Sequence, residues 1–390
     1  MLLGSDVLFD RQLLKGRTIG IVCNPASVDV NFRHVIHRAE DAGVTIGAIF
    51  GPQHGIKSDL QENMIETPHA SARLGENAKR HVPVYSLYSE TREPSAAMLE
   101  GLDALVIDLQ DVGTRIYTYI YTMAHCLRAG AKHGLPIIVC DRPNPIDGVT
   151  VEGPVLEHGY ESFVGQYPIP MRHGCTIGEL AGMFNEHFGI GAKLEVVKMQ
   201  GWDRTKYMDE AGIAWVLPSP NVPTLDAAIT YPGTVLFEGT NISEGRGTTK
   251  PFELLGAPWV TDADAFADAL NRQHVAGAHF RAHSFEPVFH KGAGQTCGGV
   301  QMHVTDRRKL AAVKTGVILI DAFRRANADA FAWREPPYEY EYIKPPIDIL
   351  FGSDRLRHAL ESGVSPEALA AEWTGPVAAF NAIRERFLLY

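Results

Sequence analysis

The sequence lacks the short motifs that mark common nucleotide, metal and serine-hydrolase sites. It contains no GxxxxGK[ST] phosphate loop, no GxGxxG after its first predicted strand, no HExxH and no GxSxG. These absences count against a tightly held dinucleotide, a zinc protease and a serine nucleophile. His54, His69 and His173 are also far apart in the chain, so we predict neither a metal nor a cofactor.

Cysteine is scarce, and long apolar runs are missing. The five cysteines are scattered and form no CxxC pair, which is typical of buried free thiols in a reducing compartment. No stretch of about eighteen apolar residues occurs, so no membrane-spanning helix is predicted. The first ten residues have no signal-peptide pattern, and we expect a cytoplasmic location unless a leader has already been removed.

Positive charge is also in deficit, with 36 basic against 46 acidic residues and a formal net charge of -10. This balance disfavours nucleic acid and anionic membrane as partners. The 390 residues exceed the usual size of one hydrophobic core, so we expect two lobes with a cleft between them.

The first 140 residues alternate between short apolar runs and helical patterns. Such runs, flanked by helices, predict a doubly wound, Rossmann-like α/β fold with a parallel sheet buried on both faces. Beyond about residue 258 the pattern changes to helices and one alternating stretch, which predicts a smaller α+β domain. The predicted strands are 18–23, 44–50, 82–87, 104–109, 136–140 and 194–199, and the predicted helices are 32–42, 116–133, 262–271 and 309–327, with a further helix capped by Thr176.

Polar turns rich in glycine and proline follow four of these strands. Cys23 leads into Asn24-Pro25, Phe50 into GPQHG, Leu109 into QDVGTR and Cys140 into DRPNP. Ligands of open parallel sheets bind beyond the carboxyl ends of the strands. These turns are therefore candidate walls of a binding site.

The stretch from Phe237 to Glu253, FEGTNISEGRGTTKPFE, has neither helical nor strand periodicity. Acids, an arginine, hydroxyls and an amide crowd into it, and three glycines allow sharp bends. Such a segment adds little to a core but suits a site that holds a polyhydroxylated ligand and moves a proton. We expect it to be a functional loop.

Paired carboxylates are the chemistry that this sequence offers in abundance. Glycosidic cleavage needs one protonated carboxylic acid and a second carboxylate as base or nucleophile. Arg115, Arg142, Arg172 and Arg246 are rival anchors for an anionic substituent. The acids at predicted strand ends or in irregular loops are Glu62, Glu66, Asp108, Asp111, Glu152, Glu238 and Glu244, of which Asp111 could equally cap a helix.

Several long segments, in one order, resemble the peptidoglycan exo-β-N-acetylmuramidase (NamZ-like) family, formerly a domain of unknown function. They are GPQHGIKSDLQENMIE, LVIDLQDVGTRIYTYIYTM, CDRPNPIDGVTVEGP, PIPMRHGCTIGELA, LPSPNVPTLDAA and YPGTVLFEGTNISEGRGTTKPFE. The resemblance implies a glycoside hydrolase that removes N-acetylmuramic acid from the non-reducing end of peptidoglycan fragments, such as the disaccharide with N-acetylglucosamine, in cell-wall turnover or recycling. The partner would then be a small carbohydrate whose lactyl carboxylate explains the arginines.

The resemblance also implies a Rossmann-like N-terminal domain, taken here as residues 1–240, and a smaller C-terminal domain, 241–390, with the active-site cleft between them. We favour Glu244 as a catalytic carboxylate, with Glu238 or Asp108 as its partner. The residues expected to bind substrate are Gln53, His54, Glu66, Arg115, Tyr117, Asn144, Glu152, His173, Asn221, Arg246 and Thr248.

The chain departs from the family at Gln53, because some members carry PEHG where it has PQHG. Either the role of that glutamate passes to Glu62 or Glu66, or Gln53 only orients substrate and the acid is Glu244 or Glu238. The second interpretation is favoured, because glutamine cannot exchange a catalytic proton at neutral pH.

Two other classes of function remain open at this point. One is an NAD-assisted glycosidase or oxidoreductase that uses the Rossmann-like half, which the missing glycine fingerprint disfavours. The other is a non-catalytic sugar or muropeptide binder, which would retain the disaccharide intact.

Overall fold

The computed structural model describes residues 1–12, 14–61, 64–75 and 80–390, so the candidate acid Glu62 lies outside the described residues. The strands are β1 Thr18–Cys23, β2 Thr45–Gly51, β3 Ala70–Leu74, β4 Arg80–Ser86, β5 Ala104–Asp108, β6 Ile137–Cys140, β7 Glu152–Val155, β8 Pro170–Arg172, β9 Leu194–Val197, β10 Leu254–Ala257, β11 Ala278–Phe285 and β12 Cys297–Val304. The α-helices are α1 Gly4–Asp10, α2 Val35–Asp41, α3 Ala96–Leu99, α4 Tyr119–His133, α5 Ile177–Glu186, α6 Leu225–Thr234, α7 Ala263–Asn271, α8 Ala312–Ala326, α9 Pro346–Phe351, α10 Arg355–Glu361, α11 Pro366–Ala371 and α12 Thr374–Arg384.

A seven-stranded sheet in the order β3-β4-β2-β1-β5-β6-β9 forms the centre of the fold. All neighbouring strands in it are parallel except the edge strand β3, which runs antiparallel to β4. The strand order reverses direction between β1 and β5, which is the arrangement that opens a crevice at the carboxyl edge of a doubly wound sheet.

Both faces of the central sheet are buried. Leu105 and Ile107 of β5 belong to one core cluster with residues of α4 and α5, whereas Ala104 and Val106 belong to another with residues of α1 and α2. Side chains alternate across a strand, so a strand covered on both sides must be apolar at every position. The sequence prediction of a Rossmann-like α/β fold is therefore confirmed.

The element bounds differ from the predictions mostly at the ends. The predicted helix 116–133 begins only at Tyr119, because residues 116–118 form a turn that leads from the sheet into α4. The predicted capping box of α5 is present, with Thr176 and Glu179 bonding each other's backbone N–H groups. Strand β3 was not predicted, since its mostly exposed edge position leaves little apolar signal. No α-helix among the described residues is long and apolar enough to cross a membrane.

A smaller antiparallel sheet, in the order β10-β12-β11, follows the large one in the chain. Together with helices α7 to α12 it confirms the predicted second α+β part. All described strands of the large sheet precede residue 240 and all those of the small sheet follow it. The division into 1–240 and 241–390 stays a prediction.

Helices α6 and α8 meet backbone to backbone. A Cβ atom on Gly233 would lie 1.9 Å from the carbonyl oxygen of Ala312, and one on Gly316 would lie 2.3 Å from that of Gly233. The turn Val235–Gly239, which carries Glu238, continues directly from α6. The glycine contact thus sets the distance between α8 and the segment that presents this acid.

We expect Gly316→Ala to lower the free energy of unfolding by about 3 kcal/mol, because the added methyl meets backbone that cannot move aside. Urea unfolding measures the effect. Gly375→Ala in α12 is the control, since a Cβ there meets nothing within 4 Å and should leave stability unchanged or slightly higher. A wild-type unfolding midpoint for Gly316→Ala would contradict the close approach.

Candidate active site

A narrow, partly open cavity lies beyond the carboxyl ends of β2 and β5. Segments from both halves of the chain enclose it, as expected for a cleft between lobes. Its lining consists of Gln53, His54, Ile116, Tyr117, Thr118, Tyr119, Val164, Ser219, Asn221, Val222, Tyr231, Glu238, Arg246, Phe252, Tyr338 and Glu339. Six residues of the predicted site therefore meet here: Gln53, His54, Tyr117, Asn221, Glu238 and Arg246.

Glu238 lies in this cavity as a buried, charge-compensated carboxylate. Arg246 Nη2 donates to its Oε1 at 2.5 Å, and the Tyr338 hydroxyl donates to its Oε2 at 2.6 Å. Both carboxylate oxygens of Glu238 thus have donors within the protein, and one of these donors is cationic.

Glu339 is a second carboxylate in the same cavity, and it was not predicted from the sequence. The Tyr88 hydroxyl donates to its Oε2 at 3.0 Å, and Gln53 Nε2 donates to its Oε1 at 3.3 Å. Burial, and then the charge of Glu238, raise the pKa of Glu339 to about 7. Near neutral pH a large fraction of this group therefore carries a proton that it can donate.

Gln53 contacts the carboxyl group of Glu339 through its side-chain amide. The Thr118 hydroxyl donates to its side-chain oxygen at 2.7 Å, which turns the amide nitrogen toward Glu339. Because an amide donates only from nitrogen, this pair of contacts fixes which end of Gln53 faces the carboxyl group.

The segment that carries Glu339 has an unusual backbone, and its Tyr340 ring contacts Tyr88 and Phe163. Glu339 and Tyr340 have φ angles of 44° and 67°, in the left-handed region that side-chain-bearing residues rarely adopt. The Arg92 guanidinium lies 4.6 Å from the ring centroids of both Tyr88 and Tyr340. These two cation–π contacts join the Glu339 segment to the N-terminal half of the chain.

Neutral polar groups complete the cavity wall. The carbonyl oxygen of Leu60 lies 2.7 Å from His54 Nδ1, and burial lowers the pKa of His54 to about 4. His54 is therefore uncharged at neutral pH, with Nδ1 protonated and a lone pair on Nε2. Asn221 donates from Nδ2 to the carbonyl oxygen of Gln61 at 2.6 Å.

Glu244 lies behind the cavity wall rather than in it. It is fully buried, with Lys291 Nζ at 2.6 Å, His290 Nδ1 at 3.2 Å and Arg246 Nε at 3.6 Å. Although burial opposes the charge, Lys291 and the other cations hold the pKa of Glu244 well below its usual range. Glu244 was expected to act on the substrate, but its carboxylate instead contacts three basic side chains of the protein.

Lys291 also binds the segment that presents Glu238. Its ammonium group donates to the carbonyl oxygens of Phe237 and Thr240 at 2.6 and 3.1 Å. Glu244, Lys291 and Arg246 thus form one ionic cluster that positions Glu238 from behind.

Asp108, the other expected catalytic partner, is occupied by an internal ion pair. Arg142 donates to its two oxygens at 2.5 and 3.0 Å, and neither residue lines the cavity.

Arg115 is also buried, but it donates to the carbonyl oxygens of Leu350 and Phe351 at 2.9 Å each. Arg115 therefore binds the end of α9 and is not placed to hold a ligand carboxylate.

The remaining expected binding residues also lie outside the cavity lining. His173 contacts Asp111 at 3.1 Å, Asn144 donates to the carbonyl oxygen of Cys175 at 3.0 Å, and Glu152 accepts the backbone N–H of Lys314 at the start of α8. Glu66 lies 3.7 Å from Arg92, with about half of its side chain exposed. Thr248 lines a neighbouring groove instead.

Among the described residues, no three His, Cys, Asp or Glu side chains are grouped so as to hold a metal ion.

Comparisons with known proteins show which family the chain resembles over its length. The family model "Exo-beta-N-acetylmuramidase NamZ, N-terminal" matches residues 19–226, and "Exo-beta-N-acetylmuramidase NamZ, C-terminal" matches residues 229–390. The peptidoglycan beta-N-acetylmuramidase NamZ of Bacillus subtilis (strain 168) is 44% identical over 391 residues, which cover 99% of this chain and 91% of that protein.

Two crystal structures of DUF1343 family proteins from Bacteroides fragilis NCTC 9343 have the same fold. Their TM-scores are 0.87 and 0.77 at 32% and 28% identity, and each alignment covers 100% of this chain and 98% of the other. The family resemblance predicted from the sequence segments is confirmed.

We expect Glu244→Gln to lower the free energy of unfolding by about 3 kcal/mol, because it leaves the partly buried Lys291 without its carboxylate partner and removes one of the two carboxylates beside Arg246. Since the pKa of Glu244 is lowered on folding, its contribution is complete above the pKa of the unfolded chain and is lost as the pH falls below it. Denaturant unfolding at neutral and acidic pH measures both effects.

The exposed Glu186, 3.5 Å from Arg386, provides the control variant Glu186→Gln, which should change stability little. A Glu244→Gln protein with wild-type stability and strongly reduced turnover would instead return Glu244 to the catalytic residues.

Proposed function

The chain belongs to the exo-beta-N-acetylmuramidase NamZ family, and on that basis we propose that it hydrolyses peptidoglycan fragments with N-acetylmuramic acid at the non-reducing end. It is a glycoside hydrolase that acts on a carbohydrate. The disaccharide of N-acetylmuramic acid and N-acetylglucosamine is the proposed substrate, and turnover of cell-wall fragments is the proposed context.

The pairing of Glu238 with Glu339 supports this proposal. Glycosidases need a carboxylate that stays ionised and a carboxylic acid that stays protonated on either side of the scissile bond. Arg246 and Tyr338 donate to the two oxygens of Glu238, while burial and the charge of Glu238 raise the pKa of Glu339 to about 7. We assign Glu339 as the general acid and Glu238 as the base or nucleophile.

Proton transfer to the leaving oxygen is then the task of Glu339. As the bond from the anomeric carbon to that oxygen breaks, positive charge develops on the sugar ring, and the ionised Glu238 stabilises it or attacks it. Water completes hydrolysis by adding at the anomeric carbon, and its proton passes to one of the two carboxylates.

The other lining groups suit the positioning of a hydroxylated sugar. The rings of Tyr117, Tyr231 and Phe252 give apolar surface, and His54 and Asn221 give neutral polar atoms. Arg246 is the only lysine or arginine of the cavity lining among the described residues, and Glu238 already binds it. The lactyl carboxylate of the sugar would therefore meet mainly neutral donors.

Purified protein should release both sugars from the muramic acid–glucosamine disaccharide, with mass spectrometry identifying the products. Glu238→Gln should lower kcat about a hundredfold or more, because an amide cannot act as base or nucleophile. Glu335→Gln, an exposed position in the segment before Glu339, is the matched control and should keep the wild-type rate. Disaccharide that stays bound and intact for hours would identify a binding protein instead.

Glu339→Gln should slow hydrolysis of the disaccharide by about a hundredfold but an aryl glycoside with an activated leaving group much less, since that group leaves without protonation. Because the pKa of Glu339 is raised, the protonated acid predominates below about pH 7 and is lost as the pH rises through that value. Wild-type kcat/KM should therefore fall above about pH 7, and this fall should be absent in Glu339→Gln. Equal losses on both substrates with an unchanged pH profile would exclude Glu339 as the acid.

A further inference from the structure

An open groove of about 790 Å³ adjoins the catalytic cavity at Asn221, which lines both. Its walls carry flat apolar surfaces from three prolines and two phenylalanines: Pro220, Pro223, Pro251, Phe285 and Phe289. Surfaces of this kind pack against the C–H faces of sugar rings, as aromatic side chains do in many ligand pockets.

Two chain segments form the cavity and the groove together. In the first, Ser219 and Val222 face the cavity while Pro220 and Pro223 face the groove. In the second, Arg246 lines the cavity, and the residues that follow it, 247–249, line the groove. The two spaces are therefore parts of one continuous surface.

The groove wall is attached directly to the loop that holds Arg246. The backbone N–H of Val288 donates to the carbonyl oxygen of Gly247 at 2.9 Å. Gly247 has a φ of 78°, and a Cβ atom there would lie 2.6 Å from the carbonyl oxygen of Phe289. Only glycine permits this approach, so the position of Phe289 is fixed relative to Arg246.

The charge of the groove decides which part of a peptidoglycan fragment fits it. Glu286 lines it, whereas no lysine or arginine does among the described residues. His283, also in the wall, has a pKa lowered by burial and by Arg281, so it is neutral near pH 7. A peptide with free carboxylates would be repelled here, while an uncharged N-acetylated sugar with hydroxyl groups would not.

We propose that this groove binds the glycan on the reducing side of the scissile bond, beginning with an uncharged N-acetylhexosamine. The inference rests on the proposed function, since it requires that the cavity hold the sugar at the non-reducing end. Rings of Phe285, Phe289 and the prolines pack against the sugar faces, and Thr248, Thr249 and Glu286 meet its hydroxyl groups. Val288, 82% exposed on the rim, extends the apolar surface outward.

The test compares Phe289→Ala with Phe32→Ala, an exposed phenylalanine remote from the groove. Phe289→Ala should lower kcat/KM on the disaccharide about tenfold, mainly through KM, and leave the activated aryl glycoside nearly unchanged. Phe32→Ala should leave both substrates unchanged. Equal losses on both substrates, or no loss on either, would overturn the proposal.

A peptide occupant gives a different result. The Phe289→Ala deficit would then appear only on substrates that carry a stem peptide, and Val288→Lys would selectively improve those substrates; either outcome overturns the proposal. We expect Phe289→Ala to lower kcat/KM by the same factor on substrates with and without the peptide.

Binding of N-acetylglucosamine oligomers, measured by calorimetry, separates this proposal from the proposed function. Wild-type protein should bind them more tightly than Phe289→Ala even if no substrate is turned over. If the disaccharide is cleaved but the oligomers bind both proteins equally, the groove assignment fails and the hydrolase assignment stands.

Discussion

Among the described residues, two carboxylates and a single arginine share one buried cavity, and this imbalance of charge determines the chemistry of the site. Arg246 compensates Glu238, so a second negative charge beside it would have no counter-ion. A buried acid in that situation keeps its proton, because desolvation and a like charge both disfavour ionisation. The different roles of Glu238 and Glu339 therefore follow from where one guanidinium group lies.

The position of Arg246 depends in turn on charges that no substrate would touch. Glu244 contacts Arg246 from behind and binds Lys291, which holds the carbonyl oxygens on both sides of Glu238. Removing such groups from water is costly, and the cost is offset only while every charge has its partner. The buried cluster is thus a geometric support for the reacting carboxylate rather than a source of large net stability.

The sequence predicted the sheet and much of the cavity, because both leave local signals. Buried parallel strands give apolar runs, and the turns after β2 and β5 supply Gln53, His54 and Tyr117. A carboxylate at a strand end, however, has the same local pattern whether it serves a ligand or an internal ion pair. Asp108 pairs with Arg142 outside the cavity lining, whereas Glu238 pairs with Arg246 inside it, and tertiary packing settles that difference.

Glu339 could not be predicted from local sequence patterns. Its segment, EPPYEYEY, contains several acids without a periodic pattern, and nothing local distinguishes the one that enters the cavity. Its role comes from Tyr88 and Gln53, which precede it by 251 and 286 residues. During synthesis from the amino end, those two residues emerge from the ribosome long before the acid they hold. In the nascent chain, the residues that hold the proposed acid therefore precede it by most of the polypeptide, and the proposed pair of carboxylates comes together only as the last part of the polypeptide folds back onto the first.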